Sequence, residues 1–412
     1  MKHILLSFAL ATATCSVAIA QKSFTFNVNV ANDNKIDRTA VPVIVPLEKY
    51  GLDVKSAVVT LNGKEIPCQL DDTNQDGTND ELCFVTDINK KSKQTFTVRI
   101  DETGKQKTYE AKTFAEMMLP NKKVKDKNKQ NIYISCLTVD RGSSTPYSAV
   151  HHHGPAFENE YSAFRVYFDH RQTVDLYGKV RKGLELKDTQ FYPTEQQKKA
   201  GYGDDVLWCG NSFGLGALRG WDGKDQVMLE DVDHRTMKVL ASGPVRAVVE
   251  IVDLGWNTGN AGKQPVNMTT RYTAYSGRRD VTVDIKFTKP ATGYEFTTGI
   301  VNVKGSSEYT DKHGLRGCWG TDWPVALKDS AGHKPETVGL AIYVPEKNVV
   351  KELPANQDNY PYVVGTAGTK ELHYAVNFCS DNETFGYHSA KEWFNYLKEW
   401  KKQMESPVKI TF

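Results

Sequence analysis

The residues best equipped for chemistry fall in one stretch, Pro146 to Lys179. It holds His151, His152, His153 and His170, the acids Glu158, Glu160, Asp169 and Asp175, Arg165 and Arg171, and Tyr147, Tyr161, Tyr167 and Tyr177. Imidazole moves protons near neutral pH, a guanidinium grips carboxylates with a planar fork, and a phenol gives or takes a proton. Read as a strand, residues 163–170 place Arg165, Tyr167 and Asp169 on one face and Phe164, Val166 and Phe168 on the other. With the apolar side in the core, the polar side is expected to line an open concave surface. Asp175 and Tyr177 repeat the pattern on the next strand. The plainer alternative is a solvated sheet face with a cross-strand Arg–Asp pair.

Three reactions suit these groups. Elimination from a uronate needs a cation for the enolate-like carboxylate, a base for the C5 proton and an acid for the leaving oxygen. Arg165 is the candidate for the first, His152 or Tyr167 for the second, and Tyr167 or Tyr161 for the third. An epimerase or mutarotase would draw instead on Glu158 or Asp169 with His152 or His234. Hydrolysis by paired carboxylates stays open, because no spacing fixes a pair. In an extended chain His151 and His153 share a side and His152 faces away, so at most two of them could bind one ion, with Glu158 or Glu160 completing the set. Histidines hydrogen-bonded or touching a ligand are the favoured reading.

Around this centre, Trp208, Trp221, Trp319 and Trp323 stand beside glycines in irregular segments, where a flat indole serves as a sugar platform. With Glu158 and Tyr161 they complete the substrate-binding candidates. No glycine pattern forms a phosphate loop. No cofactor is called for, except that Asp72, Asn74, Asp76 and Asp80 follow the first half of an oxygen-rich calcium loop. That loop would need a glutamate where Cys83 stands, so a solvated turn competes with a structural calcium site.

The elements that must position these residues are strands. Period-two alternation runs through 24–30, 41–45, 57–61, 81–85 and 94–100, which predicts an antiparallel β-sandwich within 21–120. The basic, aperiodic run Asn121 to Lys129 reads as a linker or solvated loop with a possible polyanion-guiding role, and the second region follows as 131–412. There the strand signals lengthen, at 164–168, 173–177, 237–240, 245–252, 268–275, 280–287 and 339–344, which predicts large sheets packed face to face. Helical patterns cover only 194–201 and 390–404, the latter with an aromatic stripe of Trp393, Phe394, Leu397 and Trp400 suited to packing. Residues 1–20 carry a basic start, an apolar run and Ala18-Ile19-Ala20, the pattern of a signal peptide cleaved after Ala20, so an exported, periplasmic or secreted protein is expected. No later apolar run is long enough for a membrane-spanning helix. Lys+Arg 52 against Asp+Glu 50 leaves no field to attract nucleic acid. Cys68 and Cys83 flank a hairpin signal and are a candidate disulfide pair.

Three phrases occur in order: Gly243-Pro244-Val245-Arg246 in a strand, Tyr275-Ser276-Gly277-Arg278-Arg279-Asp280-Val281, and Thr298-Gly299-Ile300. Together they resemble the supersandwich of galactose-mutarotase-like proteins and several polysaccharide lyases. The chain from 22 to 412 is also similar to an uncharacterised exported bacterial family associated with glycan utilisation. The resemblance implies a fold and a carbohydrate setting and assigns no residue a role. The expectation is an all-β protein, an N-terminal antiparallel sandwich followed by a mutarotase-like supersandwich, acting on a carbohydrate as a uronate-directed lyase. A non-catalytic glycan binder and a sugar epimerase or hydrolase are the alternatives.

Overall fold

A computed structural model describes residues 23–141 and 146–412. Residues 1–20, which carry the expected signal peptide, lie outside them. The fold is all-β, built from antiparallel sheets with three α-helices among the described residues. In the first layer pair, a five-stranded sheet ordered Lys409–Thr411, Ser23–Asn32, Ser92–Asp101, Ser56–Leu61, Lys64–Ile66 packs on a three-stranded sheet of Arg38–Pro46, Glu81–Ile88 and Cys68–Asp71. Their inward residues, among them Val28, Val43, Phe84 and Phe96, form one buried cluster. The last strand of the chain therefore returns to the first, pairing Asn29 with Thr411.

The larger body sets a nine-stranded sheet against two five-stranded ones. The nine-stranded sheet runs Cys136–Asp140, His234–Ala241, Arg246–Trp256, Val266–Tyr275, Val281–Phe287, Glu371–Ser380, Glu336–Tyr343, Leu315–Asp322, Ser307–Thr310. One facing sheet is Asp204–Asp205, Val174–Gly178, Ser162–Val166, Ala156–Asn159, Thr113–Glu116. A single core joins the layers, with Phe157, Phe164, Val166, Phe168 and Leu176 packed among residues of the large sheet such as Val249, Tyr272 and Val283. Burial of this kind contributes roughly 25 cal/mol per Å² of apolar surface and sets the register of each strand.

Helices α1 (Leu186–Thr189) and α2 (Glu195–Lys199) follow this sheet. Thr194 and Gln197 close a reciprocal capping box on α2, which explains why so short a helix starts where it does. Helix α3 (Ala390–Met404), capped by Ser389, lays Trp393, Leu397 and Trp400 on the outer face of the large sheet, so its aromatic stripe is packing. Cys68 and Cys83 are both free thiols. Cys68 pairs with Phe84 and Gln69 with Cys83, so the two thiols point to opposite faces of their sheet and cannot bridge.

Candidate functional site

Arg165 on strand Ser162–Val166 lies directly opposite Asp175 on strand Val174–Gly178. Its Nε and Nη2 donate to Asp175 Oδ2 at 2.8 and 2.6 Å, and Nη2 reaches Asp205 Oδ2 at 3.1 Å. The Tyr167 hydroxyl donates to the same Asp175 oxygen at 2.7 Å. The expected cross-strand pair is present, but the face is not an open surface. Arg165 and Tyr167 are 5% and 3% exposed, and the Phe191 ring covers the guanidinium at 4.5 Å. The segment after α1 folds over the sheet here and converts a concave face into a buried polar floor. Asp169 leaves the row, because the chain turns after Phe168; it caps that turn through the Arg171 and Gln172 amides and pairs with Arg171.

Asp205 arrives from a two-residue strand beside Tyr177 and Gly178. Gly203 permits the approach, since a Cβ there would sit 1.9 Å from the Gly178 carbonyl oxygen. Glu185 fixes the same corner by accepting from Gly203 N at 2.8 Å and from the Tyr177 hydroxyl at 3.0 Å. Burial, and then the charge of Asp175, push the Asp205 carboxyl well above the usual carboxylate range. Its side chain nevertheless keeps 28% of its surface exposed. Burial opposes the Arg165 charge, but Asp175, Tyr167 and Asp205 outweigh it and hold the guanidinium protonated. Burial and Asp175 raise the Tyr167 phenol, which makes it a donor rather than a base.

The three histidines form a tight 3-10 turn, not an extended run. His152 and His153 adopt left-handed φ values of 39° and 73°, a backbone cost of order 1–3 kcal/mol each. Gly154 closes the turn against the Val166 carbonyl, where a Cβ would stand 1.9 Å away. Burial pushes Glu116 up to about 9, and its Oε1 shares a hydrogen bond with His152 Nε2 at 3.3 Å. Burial and the Arg165 charge push His152 down to about 3, leaving it neutral. The His153 and Tyr147 rings stack at 3.8 Å, Tyr147 meets Tyr167 edge-on at 5.2 Å, and the Arg171 guanidinium lies 4.9 Å from both tyrosine rings. His151 Nε2, His152 Nδ1, Glu116 Oε2 and Arg165 Nη1 are buried without a hydrogen-bond partner. Among the described residues no three histidine, cysteine or acidic side chains gather as a metal set.

Asp205 faces a cavity of about 830 Å³ walled by Tyr192, Lys127 and Val325. Val325 also lines a second cavity of about 610 Å³, which shares Trp208, Lys304, Asp322 and Gln357 with a third of about 670 Å³ that ends at Arg171. The second and third are continuous, and the first adjoins them at Val325; the three are called the groove below. Trp208, 50% exposed, stands over its middle and donates from its backbone N–H to the Trp323 carbonyl at 3.0 Å. The buried Arg219, unflagged by any motif, holds the Trp208 loop through the Asn211 and Ser212 carbonyls at 2.7 and 2.5 Å.

The other predicted residues go elsewhere. Glu158 is fully buried and accepts from Lys179 Nζ at 2.5 Å and from the Glu185 and Leu186 amides, so it anchors the covering segment. His234 is exposed beside Asp140 on the large sheet. Tyr161 lines a separate cavity with Arg279 and Phe385. Trp319 packs on the α3 cluster, and the half-buried Trp221 lies on strand Arg219–Trp221 away from the groove lining. Asp72, Asn74, Asp76 and Asp80 accept hydrogen bonds from their own loop, including Gly77 N to Asp72 at 2.8 Å and Thr73 N to Asp80 at 2.9 Å.

The protein-family model described as Domain of unknown function (DUF4861) matches residues 30–410, and the chain belongs to that family. No curated protein matches it. Among solved structures it is similar to an alpha-mannosidase from Enterococcus faecalis V583, with 10% identity and a TM-score of 0.47 over 94% of this chain and 46% of that one. It is also similar to a glycosyl hydrolase family 38 protein from Enterococcus faecalis, with 10% identity and a TM-score of 0.47 over 94% of this chain and 47% of that one. The chain thus spans about half the length of these structures.

Proposed function

We propose that this member of the DUF4861 family acts on glycans and hydrolyses a glycosidic bond in the groove, with Asp205 as the proton donor. The observation that carries the reading is geometric: Asp205, whose carboxyl burial and Asp175 push upward against the opposing Arg165 charge, keeps 28% of its side chain exposed on the wall of a cavity that adjoins the one beneath the exposed Trp208 indole. A protonated carboxylic acid can deliver its proton to the leaving oxygen. The second carboxylate that hydrolysis needs comes from the same wall, which Asp126 and Asp204 also line. Uronate elimination fits the geometry less well: Arg165 has two of its nitrogens committed to Asp175 and Asp205, and Tyr167 is spent on Asp175. A glycan binder without turnover is the second reading, favoured by the pairing of Asp204 with Lys198 at 2.5 Å and of Asp205 with Arg165. We place the protein outside the cytoplasm on the strength of the 1–20 segment.

The products discriminate. Incubation with a panel of neutral and acidic oligosaccharides is expected to release new reducing ends without the ultraviolet band of an unsaturated uronate. Appearance of that band would restore elimination, and binding without either signal would establish the binder.

A further inference from the structure

The basic run after the first sandwich is not a free linker. Asn128 and Gln130 are buried, Asn128 Nδ2 donates to Gln197 Oε1 at 3.0 Å, and Gln130 exchanges hydrogen bonds with the Gln190 side chain at 2.9 Å in both directions. Gln130 Oε1 also accepts from Asn121 N at 2.5 Å and closes the loop on itself. Buried amides fasten a lysine loop onto the segment Gln190–Gln197 that walls the cavity at Asp205. Lys122, Lys123, Lys125, Lys127 and Lys129 are all exposed on that loop, and none joins an ion pair among the described residues. Lys127 and Lys129 line the cavity itself, with Lys127 Nζ 5.3 Å from the centre of the Tyr192 ring.

The acids on the same wall do not cancel this charge. Asp204 is held by Lys198 and Asp205 by Arg165, both outside the loop, which leaves Asp126 against five lysines. Behind Phe191, the 5%-exposed Arg165 keeps one unpaired donor, Nη1. Cations spaced within a screening length of roughly 8–10 Å add their fields and attract a polyanion to the groove end.

We propose that the groove takes an anionic glycan, with a carboxylate or sulfate group seated at its lysine-rimmed end. The inference rests on the reading of the groove as a glycan site and names the class of its ligand. Titration calorimetry of the full chain tests it with three probes of equal length: an oligogalacturonate, a sulfated galactan oligosaccharide and a neutral galactan oligosaccharide. One or both acidic probes are expected to bind, with affinity falling as salt rises from roughly 50 to 500 mM. Lys127→Gln/Lys129→Gln, confirmed folded by circular dichroism, is expected to bind the acidic probe about tenfold more weakly. Which acidic probe binds decides between carboxylate and sulfate. Neutral oligosaccharide bound as tightly as the acidic ones, or no change in the double variant, would overturn the inference and leave the glycan groove standing. No binding of any probe would remove both.

Discussion

The neutral state of His152 has a measurable consequence at the residue scale. Its imidazole is held at about 3 by burial and the Arg165 charge, against an ordinary value near 6.5, so between those values the unfolded chain binds a proton that the folded chain does not. Its contribution is therefore present above about pH 6.5 and drains away as pH falls toward 3. Glu116, raised to about 9, works in the opposite sense and loses its contribution as pH rises from about 4.5 to 9. Comparison with His152→Asn isolates the histidine. In urea unfolding at pH 7 and pH 4.5, the wild type is expected to lose more stability in acid than the variant; parallel losses would show that His152 titrates normally. The residue types of this cluster were legible in the sequence, and so was the Arg165–Asp175 pair, because strand alternation fixes which side chains share a face. The turn was not. Two left-handed histidines lead directly into the close approach of Gly154 to Val166, a tertiary fit that no local pattern encodes.

Connections between strands do most of the positioning at the scale of elements, and the one that matters most carries α1 and α2. The segment from Lys182 to Asp205 covers the polar floor, and its hold on the sheet is the fully buried Lys179–Glu158 pair, in which Lys179 also donates to the Asn159 and Gly183 carbonyls at 2.6 and 2.5 Å. Lys179→Met keeps the bulk but strands a buried carboxylate, and breaking such a pair costs about 3–5 kcal/mol. Chemical denaturation should read that loss directly, while a loss near zero would mean that the pair does not anchor the cover. Glu158 looked catalytic in sequence because an acid beside histidines reads as a proton shuttle. Its partner lies across a strand and its amide donors arrive from α1, contacts that spacing does not reveal. Asp205 was missed for the converse reason: a two-residue strand in a glycine-rich, irregular segment carries no periodic signal.

The sandwich-on-sandwich architecture was legible from strand alternation, since buried sheets impose period two wherever one face meets the core. The groove was not, because it is assembled from loops near residues 127, 192, 208, 304 and 323 that only the large body brings together. The central claim is that Asp205 gives up a proton to a glycan bound along this groove. The most direct measurement compares wild type, Asp205→Asn and Trp208→Ala for both affinity and turnover of the oligosaccharide that the wild type cleaves fastest. Asp205→Asn is expected to bind it within about twofold of wild type while losing at least about a hundredfold in kcat, and Trp208→Ala to weaken binding by about tenfold. Turnover by Asp205→Asn at the wild-type rate would contradict the account.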